Sequence, residues 1–396
     1  MSADESRGDP PRESHVDTPV VAFTGGGTGG HIYPGLAVIQ ALKAKGFAGR
    51  VVWIGSQKPL DRSIVEKEGI EYFAIPSGKL RRSLNLRNLA DAFKVLAGYF
   101  ASRRLLASLK PAFLFSKGGY VSVPPCWAAA SMGIPYCTHE SDTSPGLATR
   151  LNAAKAARIL VSWPQTVSLI AAPLRPKVAI VGNPVRPSLF KGDAGKGRAF
   201  LGAPAGLPIV FFVGGSQGSR QVNDIVRTIL PDLEGRAFVV HQTGKELFDP
   251  GLHSAKPGCY LALPYIGSEM SDILAASTLV AGRAGAGTVW EAAALGKPMV
   301  LIPLAGTGTR GDQVENAETA EKAGAAVCLT EGKATPTGTI SAILGFLGNP
   351  EAARKAGEAG LALCMVKKAD GVTASSADYI ADLIMMEVGK AAGGGH

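Results

Sequence analysis

Twice in this chain an apolar run feeds straight into a glycine-rich turn and then into a helical pattern: "VVAFTGGGTGGHIYPGLAVIQAL" at residues 20–42 and "IVFFVGGSQGSRQVN" at residues 209–223. A strand that ends on several glycines leaves amide N–H groups bare, and a helix starting there adds roughly half a positive charge. Gly25–Gly30 and Gly214–Gly218 are therefore both read as turns suited to a phosphate or another anion. Neither is a P-loop, because no Lys-Ser or Lys-Thr follows, and the glycine offsets of "GGGTGG" do not fit the dinucleotide fingerprint. The repeated opening implies two similar α/β domains facing one another across a cleft.

The rest of the chain keeps that rhythm. Short apolar runs rich in Val, Ile and Phe, with little polar alternation, suit strands covered on both faces, hence mostly parallel sheets. Strands are expected at 19–24, 50–55, 71–75, 112–116, 134–138, 158–162 and 178–182, with helices between them. After a stretch dense in Pro, Gly and charge, "GNPVRPSLFKGDAGKGRAFLGAPAGLP", strands resume at 209–215, 237–241, 260–264, 278–281, 298–302 and 325–329. The expected division is a polar, disordered arm at 1–17, an N-terminal domain at 18–184, a linker at 185–207 and a C-terminal domain at 208–370. A closing helix at 371–390 can pack back on the N-terminal domain, although its pattern also suits the second.

The formal net charge is +9, and its placement matters more than its size. The window 79–110, "KLRRSLNLRNLADAFKVLAGYFASRRLLASLK", holds eight Lys or Arg against Asp91 alone and mixes them with leucines and aromatics. Such a segment suits an anionic membrane surface, and equally an ordinary solvated helix face. No apolar run approaches the roughly 20 residues of a spanning helix, and the polar N-terminus is not a signal peptide, so a cytoplasmic location is expected. Cys126, Cys137, Cys259, Cys328 and Cys364 are scattered, with no paired spacing for a disulfide framework or structural zinc.

Polar residues collect at the carboxyl ends of the expected strands, where open α/β sheets bind ligands. His31 follows the first glycine turn, placed to take the proton of an acceptor hydroxyl that enters beside a donor phosphate; a histidine at a helix start also serves structurally. "YCTHESDTSPG" puts His139, Glu140, Ser141 and Asp142 at one edge, and "FSKGGYVSVP" adds Lys117 to Ser122. Ser144 and Ser122 also read as helix caps. In the second half Arg283 ends a strand, and Glu291 offers a carboxylate to both hydroxyls of a ribose. Arg310, Asp312, Gln313 and Asn316 reach the same edge.

These stretches, in order, resemble the MurG glycosyltransferases, the bacterial N-acetylglucosaminyltransferases that build lipid II. The likeness spans roughly residues 19–388 and rests on "GGGTGGHIYPGLAV", "SGKLRR", "FSKGGYVSVP", "HESD", "PGLATRLNA", "GNPVR", "GGSQGSRQVN", "HQTGK", "GRAGAGTVWEAAALGKPM" and "RGDQVENA". It implies an α/β protein of two Rossmann-like domains facing across a cleft, the GT-B fold. It also implies inverting transfer of N-acetylglucosamine from UDP-N-acetylglucosamine to the 4-hydroxyl of the muramoyl sugar of lipid I, at the cytoplasmic membrane face. The C-terminal domain would hold the nucleotide sugar and the N-terminal domain the lipid-linked acceptor.

By that resemblance His31 is the base and Asp142 the acceptor-side partner; many members read "HEQN" where this chain has "HESD". Gly215, Ser216, Gln217 and Gly218 meet the donor phosphates, Arg186 faces the diphosphate, Glu291 grips the ribose and Gln313 meets the donor sugar. Thr28, Gly29, Gly30, Arg283, Ala284, Gly285 and Asn316 complete the expected substrate-binding set. The chain contains no Asp-X-Asp motif, so no metal and no cofactor is expected, and helix dipoles and amides would stabilise the departing diphosphate. Other cell-wall synthesis proteins are candidate partners. Three other readings stay open: a GT-B enzyme acting on another lipid such as diacylglycerol, a UDP-N-acetylglucosamine epimerase, and a basic scaffold for nucleic acid. The last lacks any helix-turn-helix, zinc-finger or aromatic RNA-binding pattern.

Overall fold

The computed structural model describes residues 18–27, 29–78, 86–215, 217–306, 311–330, 332–368 and 371–393, of which 86–90 and 392–393 are described by their backbone. The expectations at the 1–17 arm, Thr28, residues 79–85 of the basic window, Ser216 and Arg310 lie outside these residues, as does the side chain of Arg87.

Two parallel sheets organise the chain. The first has seven strands: β1 (Val20–Thr24), β2 (Arg50–Gly55), β3 (Glu71–Ala74), β4 (Phe113–Ser116), β5 (Tyr136–Glu140), β6 (Arg158–Val161) and β7 (Val178–Ile180), in the order β3-β2-β1-β4-β5-β6-β7. The second has six: β8 (Ile209–Val213), β9 (Phe238–Gln242), β10 (Tyr260–Leu263), β11 (Leu279–Gly282), β12 (Met299–Leu301) and β13 (Ala326–Cys328), in the order β10-β9-β8-β11-β12-β13. Every strand expected from the apolar runs is present. They form because Val, Ile and Phe tolerate burial on both faces: all of Ile209–Val213 is buried, as is all of Phe113–Ser116. Ala22 pairs with Val52 on one side and Leu114 on the other, which places β1 at the centre of its sheet.

In both sheets the strand order reverses beside the opening strand, between β1 and β4 and between β8 and β11. Ligand crevices of doubly wound sheets open at such switch points, beyond the carboxyl ends of the strands. The chain leaves β1 into Gly25, β4 into Lys117, β8 into Gly214 and β11 into Arg283, so four of the turns singled out in the sequence converge on two crevices.

The helices fix these edges through periodic apolar faces. Helix Arg220–Leu233 buries Val222, Ile225, Val226, Ile229 and Leu233, a helical spacing, and Ser219 caps it by accepting from Val222 N at 3.3 Å. Residues 185–207 are more than a linker. Pro187–Lys191 is a short 3₁₀ segment, and helix Ala194–Leu201 packs on helix Met270–Ala276, with Leu189 and Leu201 in the second core. The Pro and Gly that signalled a break serve as helix starts and stops here: Asp193 caps Gly195 N and Lys196 N, and Gly202 closes the helix in the left-handed region.

Helix Ser376–Gly393 returns to the first sheet. Its Ala377, Ile380, Ala381, Ile384 and Val388 join the core formed by Phe23, Leu36, Trp53 and Phe115. Burying an aliphatic side chain of this size contributes about 1.5–3 kcal/mol. The chain therefore crosses between halves twice, after β7 and again through the antiparallel pair Met365–Lys367 and Thr373–Ser375. Trp163 of the first half meets Trp290 of the second with ring centroids 4.7 Å apart.

Candidate active site

The first glycine turn is filled from within. Gly27 N–H donates to Asp61 Oδ2 at 2.7 Å, and Ser56 Oγ donates to the same oxygen at 2.6 Å. Asp61 is 2% exposed, so the anion at this turn is the protein's own carboxylate. The phosphate reading of Gly25–Gly30 is corrected at Gly27, whose amide is already committed. Sequence reasoning had no signal for Asp61, which arrives from 34 residues away. Past the turn, Gly29–His31 form a single 3₁₀ turn ahead of helix Tyr33–Ala44. The half-buried His31 ring lies on bare backbone, since a Cβ at Gly119 would come within 3.0 Å of its Cδ2.

The end of β5 is built around Glu140. Its carboxylate accepts from Asp142 N at 3.1 Å, Gly146 N at 2.8 Å and Thr149 Oγ1 at 2.7 Å, which fixes the loop that carries Asp142. Lys117, 1% exposed, donates to Ser141 Oγ, and Ser141 Oγ donates to Asn183 Oδ1 at 3.1 Å. Burial pushes the Lys117 ammonium down to about 8, opposed by the charges of Glu140 and Asp142. His139 is buried with Nε2 2.9 Å from Gly182 O. Burial, then the neighbouring Lys117 charge, hold it well below the ordinary imidazole range, so the ring is neutral and its Nε2–H is spent on a carbonyl. Ser122 stands at the N-cap of helix Val123–Ser131 with its Oγ donating to Gly119 O at 2.9 Å and not accepting a capping bond, and Ser144 Oγ donates to Glu315 Oε1 at 3.3 Å.

In the second half the Gly214–Gly218 turn is wound against the loop after β9. A Cβ on Gly218 would lie 2.1 Å from Thr243 O, and its φ of +79° is one that glycine adopts freely. Among the described residues no carboxylate hydrogen-bonds to this turn; Gly218 N donates to Gly215 O at 3.1 Å, and helix Arg220–Leu233 begins just beyond. Arg283, 8% exposed, donates through Nη1 to Gln221 Oε1 at 3.0 Å and Ile302 O at 3.1 Å, tying together the turns after β8, β11 and β12. Gly285 is the N-cap residue of helix Ala286–Ala294, and Gln313 Oε1 accepts from Leu304 N at 3.0 Å.

Glu291 projects from helix Ala286–Ala294 and accepts from Arg186 Nη2 at 3.1 Å. Burial raises the Glu291 carboxyl and the Arg186 charge opposes the rise. The Arg186 guanidinium lies 4.4 Å from the centroid of the Tyr33 ring, a cation–π contact. Burial pushes the Tyr33 phenol up to about 12, reinforced by the neighbouring Tyr265 of the other half. Tyr33 and Tyr265 carried no signal in the sequence.

The halves meet directly at Asn316, which is fully buried. Its Oδ1 accepts from Thr143 N and Thr143 Oγ1, both at 3.2 Å, and its Nδ2 donates to Asp142 Oδ1 and Ala284 O, both at 3.2 Å. Two lone pairs and two donors are all an amide side chain offers, so Asn316 is saturated by protein. In this structure its polar atoms join the two halves. Asp142, Arg186, Glu291, Ala284 and Asn316 are thus brought to one seam, His31 lies two residues before Tyr33, whose ring meets Arg186, and Arg283 ties together the turns of the second half. Among the described residues no group of three or more His, Cys, Asp or Glu could hold a metal ion.

Two doubly wound parallel sheets docked along a seam of this kind give the two-domain GT-B fold. Residues 21–161 match the glycosyltransferase family 28 N-terminal domain, and residues 209–369 the family 28 C-terminal domain. A UDP-N-acetylglucosamine–N-acetylmuramyl-(pentapeptide) pyrophosphoryl-undecaprenol N-acetylglucosamine transferase of Treponema denticola is 50% identical over 327 residues, 78% of this chain and 83% of that one. The MurG structure of Acinetobacter baumannii superposes with a TM-score of 0.68 at 23% identity, over 93% of this chain and 99% of that chain. A UDP-GlcNAc 2-epimerase of Neisseria meningitidis bound to UDP-GlcNAc shares the fold as well, with a TM-score of 0.61 at 12% identity over 93% of this chain and all of that one. Fold alone does not separate transferase from epimerase; sequence does. The chain belongs to glycosyltransferase family 28, as a member of its MurG group.

Proposed function

We propose that this enzyme transfers N-acetylglucosamine from UDP-N-acetylglucosamine to the 4-hydroxyl of the muramoyl sugar of lipid I, with inversion, forming lipid II. The observation that carries the reading is the Arg186 bridge. One guanidinium stacks on Tyr33, two residues beyond His31, and bonds Glu291 in the other half, so the base-bearing and nucleotide-gripping elements share one cleft. The reaction named for the Treponema denticola relative supports the choice of donor and acceptor.

In this mechanism the first half holds the acceptor and the second the donor. His31 takes the proton of the attacking hydroxyl and Asp142 orients it. Glu291 accepts the ribose hydroxyls, Gln313 meets the donor sugar, and Arg186 with the Gly214–Gly218 turn, including Ser216, stabilises the departing diphosphate. Thr28, Gly29 and Gly30 border the acceptor, and Ala284 and Gly285 border the nucleotide. No metal enters any of these roles.

The acceptor is lipid-linked, and helix Leu86–Leu109 offers a surface for the membrane. Phe93, Leu96 and Phe100 are 66%, 52% and 60% exposed along one face, beside Lys94, Arg103 and Arg104. Among the described residues no helix is long and apolar enough to cross a membrane, and the enzyme works as a peripheral protein on the cytoplasmic face.

Labelled UDP-N-acetylglucosamine offered with purified lipid I, with diacylglycerol or with no acceptor tests the reading. Label should enter lipid I alone; label only in diacylglycerol, or an epimerised free sugar nucleotide, overturns it. His31→Ala should lower turnover about 10²-fold or more while donor binding survives. Neutral residues at Arg81, Arg82 and Arg87 should reduce partition onto anionic vesicles.

A further inference from the structure

Strand β4 is buried along its whole length, and Lys117, which follows it directly, is buried as well. A lysine is seldom buried unless its charge is met, because an ammonium taken out of water without partners is strongly unfavourable. Here Lys117 Nζ donates to Ser141 Oγ, and Ser141 Oγ donates to Asn183 Oδ1 at 3.1 Å. The direction of this line is fixed by its ends: an ammonium only donates, an amide oxygen only accepts, and a hydroxyl between them does both. It joins three segments that leave the first sheet at its carboxyl edge, after β4, β5 and β7. Ser141 adjoins Asp142, and Asn183 stands three residues before Arg186. Trp163 Nε1 donates to Ser141 O at 3.1 Å and pins the same residue by its backbone.

The charges that act on Lys117 come from the end of β5. Glu140 and Asp142 favour its ammonium, and His139 beside them is buried and neutral. The turn after β1 brings Gly25, where a Cβ would stand 3.2 Å from Lys117 Cβ, and the crossover after β7 brings the uncharged Asn183. Glu140 is committed to holding the loop, through Asp142 N, Gly146 N and Thr149 Oγ1, while Asp142 carries a second negative charge to the cleft.

We propose that Lys117 is a positioning residue for the acceptor side: its buried ammonium is the counter-charge of the Asp142 carboxylate and, through Ser141 and Asn183, keeps that carboxylate in register with the segment that carries Arg186. The inference rests on the reading of Asp142 as the group that orients the acceptor hydroxyl. Without Lys117, Glu140 and Asp142 would present two uncompensated negative charges to an acceptor that carries a diphosphate of its own, and like charges repel strongly where water is excluded. The need follows from "HESD": an amide at position 142, as in "HEQN", would leave one charge fewer to balance. Neither Ser141 nor Asn183 can supply that charge, so an apolar side chain in place of Lys117 would fill the space and leave the carboxylates unmet.

The test reads the charge directly and then through the reaction. Full-length protein carrying carbon-13 lysine is titrated by NMR, the Lys117 resonance being the one absent from Lys117→Met, or from Lys117→Arg if the methionine variant folds poorly. Its midpoint should lie near 8 in the wild type and fall by about one unit in Asp142→Asn, because a facing carboxylate favours the ammonium. An unmoved midpoint overturns the pairing whatever the substrate. With UDP-N-acetylglucosamine and lipid I, Lys117→Met should lower kcat about 10²-fold, the scale of a displaced reacting group, with donor KM changed less than about threefold. Adding Asp142→Asn to Lys117→Met should raise kcat about tenfold again, since the neutral pair leaves no charge unmet. Wild-type kcat should decline as pH rises through about 8, and Lys117→Met should lack that limb. A lysine with a merely structural role would give additive losses in the double variant and the same alkaline limb with and without it, and either result overturns the proposal. Failure of the wild type to use lipid I would strike the functional assignment instead, and the NMR titration would still judge the pairing.

Discussion

The two glycine turns share a sequence signature and differ in what fills them. At Gly25–Gly30 a buried carboxylate, Asp61, takes the Gly27 amide and a serine hydroxyl with it. At Gly214–Gly218 the backbone instead closes upon a neighbouring loop, with Thr243 O and Gly244 in contact and a capped helix directly behind. A strand–glycine–helix unit is thus a way of turning sharply with amides exposed; whether those amides bind a foreign anion depends on whether the protein supplies its own. The first turn serves as a platform for His31, and in the second no carboxylate among the described residues hydrogen-bonds to the amides.

Substituting the glycines should break the symmetry most visibly. A Cβ on Gly218 meets backbone, at 2.1 Å from Thr243 O, whereas a Cβ on Gly27 meets the Tyr120 ring edge at 2.6 Å, and a side chain can rotate away. Gly218→Ala should cost about 2–4 kcal/mol locally and raise donor KM by about 10²-fold. Gly27→Ala, also at positive φ, should cost about 1–2 kcal/mol in urea unfolding and leave donor KM near its starting value. Equal effects on donor KM would erase the distinction.

Asp61→Ala removes the internal anion and leaves a buried N–H and hydroxyl without an acceptor, a loss of about 1–3 kcal/mol by denaturant titration. Donor affinity should hold. If inorganic phosphate then restores stability, the first turn is an anion site whose occupant can be replaced. Glu291→Ala should raise donor KM by about tenfold, roughly 1.4 kcal/mol, with little change in acceptor KM; a defect confined to kcat at saturating donor would count against the ribose role.

The smallest effect near neutrality concerns pH, and it too divides the halves. His241 of the second sheet, between Asn223 Oδ1 and Tyr260 Oη, is pushed by burial to about 3 from 6.5. Between those values the unfolded chain binds the extra proton, so stability falls as pH drops from 6.5 toward 3. Lys117 of the first sheet is lowered from 10.5 to about 8, so its contribution improves as pH rises between about 8 and 10.5. Thermal melts of His241→Gln and Lys117→Met variants should flatten the acid and alkaline limbs respectively, and a swap of those limbs would refute the assignment.

The sheets were legible because burial on both faces leaves an uninterrupted apolar run, a signal carried within five residues at Val20–Thr24 or Ile209–Val213. The residues gathered at the strand ends were legible for a similar reason, since the apolar run breaks off where they begin. Partners were not. Asp61 reaches Gly27 across 34 positions and Asn316 reaches Asp142 across 174, and nothing local distinguishes a carboxylate that fills a turn from one that caps a surface helix. The same limit hid the Tyr33–Tyr265 contact and made residues 185–207 look looser than their packing on helix Met270–Ala276.

Helix Ser376–Gly393 lies on helix Tyr33–Ala44, at the opposite end of the chain, and completes the core of the first sheet. During synthesis, the half made first is therefore the half finished last. Its apolar flank around Leu36 and Trp53 waits uncovered while the whole second half emerges from the ribosome, and loss of the closing helix would damage the first half while sparing the second, translated just before it.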